Sequence, residues 1–138
     1  MIKLIIYGQT PSKKTSQIMI CRKRGRPLLL PNKKYMEWQS RAIFQLKEQK
    51  QEMKLETICE PIEISFQIYR LTRRKIDLSN LIQSCEDALV KASVIKDDFL
   101  IENLNNSKRI LDVSPGEERV EIYILPVSEG SFLKDRSS

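Results

Sequence analysis

The sequence predicts an α+β fold, a small single domain over residues 1–138 in which two main helices pack on a mixed β-sheet. Short segments with alternating apolar residues, typical of half-buried strands, occur at the start, in the middle and near the end of the chain. Two longer segments between them repeat apolar residues at helical spacing. With 138 residues, 41% of them hydrophobic and 30% charged, the chain is large enough to bury one core.

The predicted strands are short and mostly carry apolar residues at every second position. They cover residues 1–8, 16–23, 61–71, a stretch within 94–111 that also contains a turn, and 119–125. In the most regular of them, apolar residues from Ile62 to Ile68 alternate with polar ones, which predicts one buried and one wet face. Pro126 stops the last strand, and residues from about 127 to 138 are expected to form a flexible tail.

Two amphipathic helices are predicted from the spacing of their apolar residues. The first lies within residues 30–54 and begins near a favoured N-cap residue, Asn32. Its Tyr35 and Trp38 recur at helical spacing, which favours core packing over base stacking. The second covers about 78–92 and collects its apolar residues in one stripe.

The composition excludes several kinds of chemistry. The chain has no histidine, which rules out Ser–His nucleophiles, histidine bases and histidine metal ligands. It has no glycine-rich phosphate loop. Its three cysteines are too widely spaced for a metal site or a disulfide framework. Cys85 is expected to be a buried thiol. Enzymatic chemistry must therefore come from carboxylates, lysines or a metal held by oxygen ligands, without a small-molecule cofactor.

Location and partners are predicted from hydropathy and charge. No segment is apolar enough for a membrane span and no signal peptide is recognised, so we expect a cytoplasmic protein without membrane contacts. The net charge is +6, the pI is about 9.3, and no acid precedes Glu37. Cationic loops on a scaffold favour a nucleic-acid partner over a plain solvated surface. The expected DNA-contacting cations are Lys13, Lys14, Arg22, Lys23, Arg24, Arg26, Arg73, Arg74 and Lys75.

Polar residues with possible site roles gather around the second predicted helix. Asp77 stands just before it, while Asn80 and Asp87 lie along the border of the apolar stripe, where a carboxylate is partly desolvated. Structural alternatives exist, with Asp77 as the helix N-cap and Asp87 as the ion-pair partner of Lys91. The residues by themselves leave both a metal site and purely structural roles open.

The stretch "DLSNLIQSCEDAL" followed by "VIKDD" resembles the RusA family of Holliday junction resolvases. The motif D-L-x-N-L, the apolar helix ending in D-A-L and the later aspartate pair carry the resemblance, which is tightest over 73–98. It extends loosely to "GQTPSKK", to the region of Lys108 and to the last strand. It implies a RusA-like domain, a homodimer from bacteria, phages or prophages that binds four-way or branched double-stranded DNA near the nucleoid. The implied activity is Mg²⁺-dependent resolution of such junctions by symmetric phosphodiester hydrolysis in recombination and repair, with Mn²⁺ expected to substitute.

The resemblance also assigns roles by position. Asp77 matches the first catalytic aspartate of the family and Asp98 the last. The implied metal ligands are Asp77, Asp87, Asp97 and Asp98, and the implied catalytic residues are Asp77, Asp87, Asp98 and Lys108. Asn80 is expected to contact DNA together with the basic loops. If these roles are right, Asp77, Asp87 and Asp98 should converge within reach of one ion.

Two positions depart from the family pattern. Ser79 stands where the family often has a second aspartate, and Gln83 stands where a catalytic lysine is found. A neutral hydroxyl is a poorer ligand for a hard dication, and the missing lysine removes a cation that stabilises developing charge. Three functions therefore stay open: a junction endonuclease, a family member that binds branched DNA with weak or no cleavage, and a basic adaptor protein with structural acids.

Overall fold

The computed structural model describes residues 1–11, 17–21, 27–31, 33–73 and 76–127, of which 17–21 and 27–31 are described only in their backbone. The described elements are β1 (Ile2–Tyr7), β2 (Gln17–Cys21), β3 (Pro27–Pro31), α1 (Lys33–Glu52), β4 (Ile62–Tyr69), α2 (Leu78–Lys91), a 3₁₀ turn (Asp98–Leu100), β5 (Ile101–Leu104), β6 (Lys108–Ile110) and β7 (Arg119–Pro126). Two helices and a mixed five-stranded sheet confirm the predicted α+β class. The expected N-cap at Asn32 and the tail after Val127 lie outside the described residues.

The central strand of the sheet is β4. On one side it pairs antiparallel with β7, which pairs antiparallel with β1. On the other side β5 and β6 both run parallel to it, β5 beside its first half and β6 beside its second. Strands β2 and β3 form a separate antiparallel hairpin.

Two strands were not distinguished by the sequence. The run "PLLLP" of β3 has no alternation of apolar and polar residues, so periodicity gives no strand signal there. Where one strand was expected within 94–111, the chain forms β5 and β6, separated by a turn at Asn105 and Asn106. Asn106 has a positive φ of 49°, a conformation that asparagine tolerates better than most residues.

Both helices lie on one face of the sheet and enclose the core. Alternate side chains of β4 point into it, while β1, β7, α1 and α2 supply its other walls. Tyr35 and Trp38 of α1 are buried there, which confirms their predicted core role. Among the described residues, no helix has both the length and the apolarity to cross a membrane.

The outer edge of β1 is closed by two side chains of α1. The Gln49 amide accepts from the Ile5 backbone N–H at 2.8 Å and donates to the Ile5 carbonyl at 2.6 Å. One helical turn earlier, Gln45 makes the same pair of contacts to Tyr7, at 2.8 and 3.4 Å. Each side-chain amide thus bonds the backbone N–H and carbonyl of a β1 residue as a neighbouring strand would. These groups of the β1 edge are therefore not free to pair with a strand of another chain.

We expect Gln49→Ala to destabilise the protein by about 1–3 kcal/mol, because two backbone groups of Ile5 lose their partners. The measurement is the free energy of unfolding by urea. The matched control is Gln51→Ala, which removes an exposed glutamine from the same helix. Equal losses in the two variants would contradict the role given to Gln49.

Candidate active site

Helix α2 presents one buried face to the core and one face to solvent. Its buried side chains are Leu81, Ile82, Ser84, Cys85, Ala88 and Leu89. Cys85 is a fully buried thiol, as predicted, and burial raises its pKa far above the ordinary value. Ser79, Gln83 and Asp87 follow one another at intervals of four residues and form the outer row of α2, in which Ser79 and Gln83 are exposed and Asp87 is partly buried. Both departures from the family pattern therefore lie in line with Asp87.

Asp77 occupies the N-cap position of α2 without capping it through its side chain. Its backbone is extended, and its carbonyl accepts from the backbone N–H groups of Asn80 and Leu81 at 3.1 and 3.3 Å. The exposed carboxylate makes no capping hydrogen bond within the described helix. Asp77 is therefore the N-cap residue by position, as the structural alternative expected, but its side chain does not cap the helix.

An acidic cluster forms at the other end of α2, where the helix contacts the 3₁₀ turn. It consists of Glu86, Asp87, Asp97 and Asp98, which influence one another electrostatically. Burial, followed by the charges of Asp98 and Asp87, raises the pKa of Glu86 to about 7. The neutral form of Glu86 is therefore favoured both by its burial and by the neighbouring carboxylates.

Asp97 and Asp98 form the closest pair in this cluster. The side-chain hydrogen bond between them raises the pKa of Asp98, and burial and the charges of Asp97 and Asp87 add to this shift. The backbone N–H of Phe99 donates to Asp97 Oδ1 at 3.1 Å and lowers the pKa of Asp97. Two carboxylates held side by side in this way favour a bound cation, which would relieve their repulsion.

The structure does not bring Asp77 together with Asp87 and Asp98 in one chain. From 77 to 87 the helix rises about 15 Å, at roughly 1.5 Å per residue. Accordingly, the described residues contain no group of three or more acidic or cysteine side chains placed to hold a metal ion. The expected convergence is therefore absent from the single chain, because α2 holds the first aspartate apart from the others.

The donor set of the acidic cluster nevertheless fits Mg²⁺. All its side chains offer carboxylate oxygens, the ligands that a hard cation prefers. Mg²⁺ commonly keeps several waters and takes only one or two carboxylates together with substrate phosphate. The Asp97–Asp98 pair provides two, with Asp87 and Glu86 beside it.

Cations lie at the Asp77 end of α2. The segment after β6 runs beside the segment that leads to Asp77: the Arg70 N–H donates to the Ile110 carbonyl at 2.8 Å, and the Arg70 carbonyl accepts from Val113. There the exposed Arg73 forms an ion pair with Asp112. The other eight cations predicted to contact DNA lie outside the described residues: Lys13, Lys14, Arg22, Lys23, Arg24, Arg26, Arg74 and Lys75.

Lys108 is placed away from the acidic cluster. It pairs with Gln67 in the parallel register of β4 and β6. Paired residues of adjacent strands project to the same face, and Gln67 belongs to the wet face of β4, opposite the helices. Lys108 therefore belongs to the Asp77 end of the sheet and to its outer face.

The segment after β1 is anchored against α2. The Ser84 hydroxyl donates to the Pro11 carbonyl at 2.7 Å, and the Leu71 N–H donates to Gln9 Oε1 at 2.6 Å. Thr10, between them, is fully buried against Cys85. These contacts fix the position of the segment from Gln9 to Pro11 against α2.

Sequence reasoning missed Glu86 as a member of the cluster. It stands next to Asp87 in "CEDAL", and counting at 100° per residue places it beside Ile82, at the border of the apolar stripe of α2. Its significance depends on Asp98, which approaches α2 only in the folded chain. Helical spacing indicates where Glu86 lies on α2, but it does not indicate that Asp98 approaches Glu86.

Two comparisons with known proteins bear on this site. Residues 10–125 match the family described as "Endodeoxyribonuclease RusA". The chain is also similar to the "Crossover junction endodeoxyribonuclease RusA" of Aquifex aeolicus (strain VF5), with 37% identity over 89 residues. The alignment covers 64% of this chain and 66% of that relative, just under two thirds of its length.

We expect Ser84→Ala to lower the free energy of unfolding by about 1–2 kcal/mol, because the Pro11 carbonyl loses its buried donor. Urea unfolding measures the loss. In the control, Ser79→Ala, an exposed serine of the same helix is replaced by a residue of higher helix propensity, so stability should hold or rise slightly. If Ser84→Ala is as stable as the control, the anchor does not contribute.

Proposed function

This chain belongs to the RusA family of endodeoxyribonucleases, and on that premise we propose that it resolves four-way DNA junctions by Mg²⁺-dependent hydrolysis of phosphodiester bonds. The observation that carries the proposal is the acidic cluster, in which two adjacent carboxylates stand beside Asp87 and Glu86. A chain without histidine has few other groups for this chemistry.

In the proposed mechanism, the acidic cluster binds the cation next to the phosphate to be cut. Asp97 and Asp98 are the ligands, with Asp87 adjacent to them. A cation held by these residues would polarise the phosphoryl oxygen and make a nearby water more acidic. The Phe99 N–H lowers the pKa of Asp97, which keeps this carboxylate in the ionised form that a metal ligand needs. Neither residue needs to move, since the 3₁₀ turn already holds the pair together.

The position of Asp77 supports a homodimer. Asp77 and Lys108 lie at one end of α2 and the acidic cluster lies at the other. A twofold axis between two antiparallel copies of α2 would place the Asp77 end of each copy beside the acidic cluster of the other, where a shared cation would offset the like charges. We propose that Asp77 acts with the acidic cluster of the second copy, giving two sites for two strands of a symmetric junction. Asn80 and the basic segments then hold the phosphate backbone.

A second candidate is a family member that binds junctions but cuts them weakly or not at all. The outer row of α2 favours it, because the two positions that precede Asp87 on that row, Ser79 and Gln83, carry neutral side chains. Without a carboxylate or a cation there, the row contributes neither a metal ligand nor charge stabilisation.

We expect Asp98→Asn to bind a synthetic four-way junction about as well as the unchanged protein but to cut it at least on the order of 100-fold more slowly in Mg²⁺, since a carboxylate ligand becomes a neutral amide. Gel assays of binding and of strand cleavage measure both. Glu102→Gln removes an exposed carboxylate from β5 as a matched control and should cut normally. Cleavage that survives in Asp98→Asn would remove Asp98 from the mechanism.

The two candidates are distinguished by Ser79→Asp combined with Gln83→Lys. Both changes fall on the solvent side of α2, so the fold should tolerate them. If the unchanged protein binds junctions without cutting them, the double variant should gain cleavage in Mg²⁺ or Mn²⁺. Asp98→Asn added to the double variant should remove the gain. A fully active unchanged protein would reject the second candidate.

A further inference from the structure

Phe99 is the most exposed aromatic side chain among the described residues. Its exposed fraction is 85%, against 62% for Phe44 of α1, the next phenylalanine in order of exposure. A solvated phenylalanine gives the fold almost none of the hydrophobic stabilisation that burial would provide. Its place is therefore not explained by packing within one chain.

The backbone holds Phe99 firmly beside the acidic cluster. Its N–H donates to the Asp97 side chain at 3.1 Å, and the next N–H, of Leu100, donates to the Asp97 carbonyl at 3.2 Å. The turn closes with the Ile101 N–H on the Asp98 carbonyl, and Ile101 packs against the core. The ring is thus carried by a fixed turn, one residue from Asp98.

Building on the proposed function, we infer that Phe99 stacks on a DNA base next to the phosphate held at the Asp97–Asp98 pair. The ring is flat, apolar and adjacent to the carboxylates that face the phosphate. Bases stack on aromatic side chains regardless of their sequence, which suits recognition of a branch by shape. At a branch point a base is unstacked at lower cost than inside a duplex.

The charge around the ring favours DNA over a protein surface. A protein partner covering Phe99 would also take Asp97, Asp98 and their charges out of water, which is costly without cations. A DNA strand that arrives with Mg²⁺ leaves those charges neutralised. Phe99 therefore adds a stacking contact for one nucleotide to a site whose other groups act on phosphate.

The experiment measures single-turnover cleavage of a four-way junction in Mg²⁺ against protein concentration. Phe99→Ala should raise the half-saturating concentration roughly 5- to 100-fold, the loss expected for one stacked base. Phe99→Trp should stay close to the unchanged protein, whereas Phe99→Leu, apolar but without a ring, should behave like Phe99→Ala. Phe44→Ala is the matched control, since it removes an exposed ring from the far helix and should change nothing.

A 2-aminopurine placed beside the branch provides a second readout. Its fluorescence should change on binding of the unchanged protein and of Phe99→Trp, but not of Phe99→Ala. Normal saturation and an unaltered signal in Phe99→Ala, with cleavage intact, would overturn the inference and leave the proposed function standing. Full activity in Phe99→Leu would also overturn the inference. If light scattering showed a smaller assembly for Phe99→Ala, the ring would be a contact between subunits, and the inference would again be overturned. Absence of junction binding and cleavage in the unchanged protein would overturn the proposed function together with the inference.

Discussion

The burial of one face of β4 is the constraint on which the rest of the structure depends. This strand pairs with β7 on one side and with β5 and β6 on the other, so it fixes the register of the sheet in both directions. Its buried residues alternate strictly with wet ones, and a slip of one residue would turn the whole apolar set toward solvent. The position of β5 follows from that register, and with it the 3₁₀ turn that carries the acidic pair.

Helix α2 separates the candidate site residues into two groups, with Asp77 at its N-terminal end and the acidic cluster at its C-terminal end. Its apolar stripe is pressed against the core, which leaves the row from Ser79 to Asp87 toward solvent. A helix is rigid along its axis, so it keeps Asp77 and the acidic cluster about 15 Å apart at roughly 1.5 Å per residue. The four carboxylates of the acidic cluster lie at the second end, away from Asp77. A symmetric DNA substrate and a twofold assembly are both compatible with that polarity.

Stability and activity make different demands on the same segments. The Asp97–Asp98 pair and the half-buried Glu86 concentrate like charges, which does not stabilise the apo fold. The fold is secured elsewhere, by the core and by polar contacts such as the two glutamines on the edge of β1 and the Ser84 anchor. Such a division is common where a site needs groups that the fold by itself would disfavour.

The sequence by itself determined the α+β class, both helices, the strands with regular alternation and the positions of the candidate acids. It did so because these features follow from periods of two and 3.6 residues and from a local motif. It did not distinguish β3, whose leucines show no alternation. Only the tertiary structure decided that Asp98 meets Glu86 and Asp87 while Asp77 stays apart, and that Lys108 faces away from them. Those outcomes depend on the length of α2 and on the parallel register of β4 with β5 and β6, which join residues distant in the chain and leave no periodic trace in it.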